Sequence, residues 1–115
     1  MYVFHSPKDY SFEKVGIKGK NFDTKVLFEE AKFTVIETTE GHQTRIRERE
    51  CTFVYFILDG KGSFEIGKVI ENCRKGDLEI VPKNTIFTYT GKMKILLVTF
   101  PWWYSEQEET LQDKR

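Results

Sequence analysis

The sequence predicts an all-β chain whose strands pair antiparallel in a sandwich or barrel. Three observations lead there. Runs of β-branched, aliphatic and aromatic residues at 52–58, 63–66, 78–81 and 86–89 follow one another within about forty positions. The intervals hold turn residues: Asp59-Gly60-Lys61-Gly62, Arg74-Lys75-Gly76-Asp77 and Pro82-Lys83-Asn84. Several segments also alternate with the two-residue period that a sheet with one buried face imposes.

Residues 1–24 mix Tyr2, Phe4, Tyr10, Phe12 and Phe22 with Pro7, Gly16 and Gly19 and show no sustained period, which reads as an arm or irregular strands docking on a body formed later. A short strand is expected at 25–30 and a clearer one at 33–39, where Phe33, Val35 and Glu37 alternate with Thr34, Ile36 and Thr38. In the strand expected at 43–50, alternation collects Arg45, Arg47 and Arg49 on one face, opposite Thr44, Ile46, Glu48 and Glu50. The glycines after residue 58 can take the positive φ of a tight turn, so 52–58 and 63–66 are expected to form a hairpin. Both faces of 52–58 and of 95–100 are apolar, whereas an antiparallel sheet usually leaves one face wet. A second subunit is the expected cover, and the chain's own N-terminal arm is the alternative. After Trp102, Trp103 and Tyr104, the stretch Ser105-Glu106-Gln107-Glu108 has the spacing of a capping box for one helical turn, followed by a fraying tail. The whole, 1–115, reads as one domain with an arm (1–24), a barrel (25–100) and a tail (101–115).

Basic and acidic residues balance at 18 each, which argues against a dedicated nucleic-acid binder, whose affinity comes from concentrated positive charge. The longest apolar run, 53–58, is far too short to span a bilayer, and the first residues lack the basic-then-apolar order of a signal peptide, so no membrane partner and a cytoplasmic location are expected. Cys51 and Cys73 form no C-x-x-C pair and read as two buried thiols.

The spacing of glycines and proline resembles the cupins, small jelly-roll β-barrels. Their first motif runs glycine, five residues, histidine, one, histidine, three or four, glutamate, six, glycine. Here Gly41, Arg47, Arg49, Phe53 and Gly60 reproduce that spacing. Gly76 and Pro82 reproduce the start of the second motif, with Asn84, Phe87 and Gly91 where the family has glycine, histidine and asparagine. The match spans Gly41 to about Phe100. At the family's metal-holding positions stand Arg47, Arg49, Phe53 and Phe87, none of which offers a lone pair, so neither a metal nor another cofactor is expected. His5 and His42 read as surface residues.

The resemblance implies that the arginines point into the barrel, with Phe53, Tyr55, Phe87 and Tyr89 on the same parity. A buried guanidinium needs an anion beside it. An internal carboxylate (Glu79, or Glu37 or Glu65 if register allows) would make the arrangement structural. A carboxylate, phosphate or sugar nucleotide held by Arg45, Arg47 and Arg49 would make it a ligand site. A shift of register would instead turn the stripe to solvent. The expected function is therefore a metal-free binding module for a small anionic or carbohydrate-like molecule. The alternatives are a metal-free isomerase or epimerase, with Tyr55 or Tyr89 as proton donor and Glu79 as the remaining base, and a dimeric structural or interaction protein.

Overall fold

A computed structural model describes residues 2–102 and 108–111 of the chain. Nine strands appear among them and no helix: β1 (Phe12–Lys14), β2 (Ile17–Asn21), β3 (Lys32–Thr38), β4 (Arg45–Glu48), β5 (Thr52–Ile66), β6 (Val69–Arg74), β7 (Leu78–Val81), β8 (Ile86–Phe100) and β9 (Glu108–Leu111). All pairings are antiparallel. The order β1-β2-β3-β8-β4-β9 runs along one edge of β8, and β5 lies along its other edge and carries β6 and β7.

The expected hairpin after residue 58 does not form. Residues 52–66 make one strand that stays beside β8 throughout, with a bulge between Ile57 and Asp59. The glycines serve a corner instead: a Cβ on Gly62 would lie 2.1 Å from the Thr90 carbonyl oxygen and one on Gly91 2.5 Å from the Gly62 Cα. Only without side chains can β5 and β8 bend together there. Tyr55 and Phe64, nine positions apart on one strand, consequently meet with ring centroids 5.1 Å apart. The two long strands thus belong to both halves of the shell. The tight turn of β5 falls at Gly67, φ +59, before β6.

Other expectations fare differently. Residues 25–27 form a turn rather than a strand, and 33–39 falls on β3 with Thr34, Ile36 and Thr38 buried. The N-terminal stretch contributes β1 and β2, joined by Val15 and Gly16, both at positive φ as a two-residue hairpin requires. The Phe12 ring packs at Gly19 on the inner side, so this hairpin does not cover the outer face. That face leaves Phe56, Leu78, Ile80 and Phe100 between 38% and 58% exposed. The C-terminal segment adds β9 to β4, a strand that the sequence did not announce. Most of the expected capping box, with Trp103 and Tyr104, lies outside the described residues.

Both cysteines are buried free thiols. Burial, reinforced by the Glu48 and Glu50 charges, pushes the Cys51 thiol up to about 12, which makes it inert.

Candidate functional site: an interior cavity with a histidine and two tyrosines

Inward-facing residues divide the interior. Phe64, Phe87, Tyr89, Cys73 and Met93 pack together in one part of it, and beside them lies a cavity of about 280 Å³. Its wall includes Phe12, Asn21, Lys32, Thr34, Ile36, His42, Ile46, Phe53, Tyr55, Tyr89, Leu97 and Thr99. Apolar walls with a few placed polar groups are the usual make-up of a small-ligand site. A larger depression of about 700 Å³, between the β1–β2 turn and the β3 and β8 ends, is lined by charged side chains, among them Glu13, Lys18, Glu37, Asp59, Lys92 and Lys94.

The arginine stripe is not part of this cavity. In β4 the buried residues are Ile46 and Glu48, each 2% exposed; Ile46 sits opposite Phe87 and faces inward with it. Arg45 and Arg47 therefore take the other face and Arg49 is exposed beyond the strand, one residue out of register with the expected parity. The energetic reason is plain: turning the guanidinium groups inward would desolvate three cations and expose Ile46. Arg45 instead donates to Glu65 Oε2 at 2.6 Å. One expected carboxylate partner is thus real, but the pair is half-buried on the outside. Glu48 uses its Oε1 to accept from the Glu50 and Cys51 backbone amides, closing the β4–β5 turn.

Of the other expected residues, Phe53, Tyr55 and Tyr89 line the cavity. Phe87 packs behind them, its ring 5.7 Å from Phe53 and 6.0 Å from Tyr55. Glu79 is directly opposite Tyr55 in the β5–β7 ladder yet does not reach the cavity. Burial and the neighbouring Glu71 carboxylate push it up to about 7.

His42 was expected at the surface, and here the sequence reading is corrected. The residue is 8% exposed and forms part of the cavity wall, its ring edge-on to Tyr89 at 5.8 Å between centroids. Gly41 explains the placement. It bridges to Thr90 with φ +103, and a Cβ there would lie 2.2 Å from the Tyr89 carbonyl oxygen, so only glycine lets the chain approach this closely. The His42 amide then donates to the Tyr89 carbonyl at 2.9 Å, and the Thr88 hydroxyl donates to the His42 carbonyl at 3.0 Å.

The ring's protonation follows from its contacts. Nδ1 lies 2.7 Å from the Thr44 carbonyl oxygen, which can only accept, so Nδ1 carries the hydrogen and Nε2 keeps the lone pair. Burial depresses the pKa below the ordinary imidazole range; the Thr44 hydrogen bond offsets part of this, and the Lys14 charge adds to it. A neutral, oriented imidazole therefore stands beside the Tyr89 ring, whose centroid is 5.5 Å from that of Tyr55 on the same cavity wall. Such a trio can take a proton from one atom of a bound molecule and give one to another.

Among the described residues no three His, Cys, Asp or Glu side chains come together, and the cavity wall offers a single imidazole.

No family model and no curated protein matches the chain. Solved structures do. Streptomyces PAC13, as an H42Q variant with uridine, superposes with a TM-score of 0.88 at 20% identity, covering 97% of this chain and 92% of that one. Y55F and Y89F variants of PAC13 with uridine are similar at TM-scores of 0.86. Pac13, a nucleoside dehydratase, matches at 0.87 and 21% identity over 97% and 92% of the two chains. Ectoine synthase from P. lautus matches at 0.74 and 13% identity over 100% and 93%. KdgF from Halomonas sp. matches at 0.68 and 12% identity over 85% and 89%. Together with the antiparallel topology and the glycine-framed corner, these likenesses show that the chain has the cupin fold.

Proposed function

We propose that the chain takes up a nucleoside in the 280 Å³ cavity and eliminates water from it by acid–base chemistry of its own side chains. The observation that carries this is the convergence of His42, Tyr55 and Tyr89 on one cavity wall. The PAC13 structures with uridine support it: their substitutions are written H42Q, Y55F and Y89F, and the same residue types stand under the same numbers here.

In the step so assigned, His42 Nε2 takes a proton from a sugar carbon beside an electron-withdrawing group. The C–H electron pair becomes the new C=C bond as the C–O bond on the next carbon breaks. The departing oxygen takes a proton from a tyrosine hydroxyl and leaves as water. The imidazolium then returns a proton to the tyrosinate, restoring both groups.

The test is incubation with uridine and with nucleosides whose sugar carries a carbonyl group, followed by mass spectrometry for loss of one water. His42→Gln should lower kcat about a hundredfold or more while uridine still raises the melting temperature. Uptake of uridine without any turnover by the unaltered protein would reject the dehydratase and leave a binding module.

The outer face of β5, β7 and β8 belongs to the same reading: we assign it to a second copy of this chain. Phe56, Leu78, Ile80 and Phe100 form an apolar surface without a charged centre, a composition suited to packing against its own two-fold copy. Sedimentation should give a dimer that Ile80→Glu converts to monomer. A monomeric unaltered protein at micromolar concentration rejects the assignment.

A further inference from the structure

The cavity has a second polar corner that the acid–base trio does not use. Asn21 is directly opposite Thr34 in the β2–β3 ladder, and Lys32 is opposite Thr99 in the β3–β8 ladder. Directly opposed residues share a face, and all four line the cavity. Leu97 is directly opposite both Thr34 and Tyr55, so this corner continues the cavity wall from Tyr55 along β8 toward Thr99.

Hydrogen-bond direction gives the corner its chemistry. The Thr34 hydroxyl donates to Asn21 Oδ1 at 2.8 Å, which fixes the carboxamide and leaves Nδ2 as its donating end. The Lys32 ammonium is also only a donor. Thr99 is 3% exposed, and its buried hydroxyl has no hydrogen-bond partner among the described residues. A buried hydroxyl left unsatisfied costs stability, and a polar group of a ligand would remove that cost.

Resting on the nucleoside reading above, we infer that Asn21, Thr99 and Lys32 read the edge of the base and select a pyrimidine with two ring carbonyls over one with an exocyclic amino group. A uracil-type edge presents acceptor, donor, acceptor. Its carbonyls meet Asn21 Nδ2 and the Lys32 ammonium, and its ring N–H meets the Thr99 hydroxyl, which can accept. A cytosine-type edge sets its amino hydrogens against groups that also only donate. Phe12 and Phe53 supply apolar walls at this end, and the sugar is left toward His42, Tyr55 and Tyr89.

Calorimetric titration with uridine and cytidine tests this on the unaltered protein, Asn21→Asp and Thr99→Val. The unaltered protein should prefer uridine by about tenfold, the effect of one mismatched hydrogen bond. Asn21→Asp keeps the acceptor that Thr34 needs and replaces the donor by an acceptor, so the preference should vanish or reverse. Thr99→Val should weaken uridine about tenfold and raise the melting temperature, since the orphaned hydroxyl is gone. If Asn21→Asp does not fold, Lys32→Met supplies the same reading as a loss of uridine preference. Equal affinity for the two nucleosides, a preference unchanged in the variants, or a lower melting temperature in Thr99→Val would each overturn the assignment and leave nucleoside uptake standing. If neither nucleoside binds the unaltered protein, the nucleoside reading itself fails.

Discussion

The two ends of the interior share the long strands β5 and β8, yet one is core and the other cavity. At the packed end, the Phe64 ring stacks on Tyr89 at 4.9 Å and lies 5.1 Å from Tyr55 between centroids. At the open end, the inward positions of β3 and the last third of β8 hold Thr34, Ile36, Leu97 and Thr99. Rings fill the space between facing strands, and threonines do not. What separates scaffold from site is thus side-chain volume and polarity at equivalent positions, with no change of fold.

Removing a ring from the packed end should therefore produce the largest effect. Phe64→Ala deletes a fully buried ring that touches both Tyr55 and Tyr89. It should cost about 3–5 kcal/mol of stability, read from denaturant midpoints, and weaken uridine binding by loosening the tyrosines. A loss below about 1 kcal/mol would mean that this end is not the close-packed half.

A smaller effect sharpens the comparison at the boundary, where His42 stands. Its pKa is lowered on folding, mainly by burial, so the unfolded chain binds more protons than the native one in the window between the two values. The stability that His42 contributes is present above the unfolded imidazole value of about 6.5 and is lost as pH falls through the depressed native value. Glu79, raised to about 7, acts oppositely: its contribution is present at low pH and lost as pH rises through 7. The difference between the unaltered protein and His42→Gln isolates the first. That difference should shrink on acidification from pH 7 to 5; a flat difference would place the imidazole in solvent. Turnover should follow the same limb, because only the neutral ring accepts a proton.

The family's geometry, rather than the local pattern, pointed to Phe53, Tyr55 and Tyr89, which line the cavity. The alternation of β3 separated two faces without choosing between them, and the buried one carries Thr34, Ile36 and Thr38. The family's geometry failed at β4, where Arg45, Arg47 and Arg49 alternate as cleanly as Ile46 and Glu48 do. A period of two says that the faces differ but not which is inside, and the family spacing chose the wrong one. The strand's contacts decide it, through Ile46 against Phe87 and Arg45 against Glu65. His42 escaped notice for a different reason. A single histidine beside a glycine carries no local signal, because its burial depends on Gly41 approaching Tyr89 from a strand nearly fifty positions away. Likewise the glycines at 60 and 62 have hairpin chemistry, and only their closeness to Thr90 and Lys92 makes them a corner.

The sequence alone determined the class of the fold, the positions at which the backbone needs glycine, and the aromatic residues available for an interior. Those follow from local sterics and from the two-residue period, which act over a few neighbouring positions. Which face of β4 turns inward, where the cavity opens, and which imidazole and hydroxyls line it were decided only by the tertiary structure. They depend on pairing between distant strands, where the cost of burying charge and the volume of facing side chains are first compared.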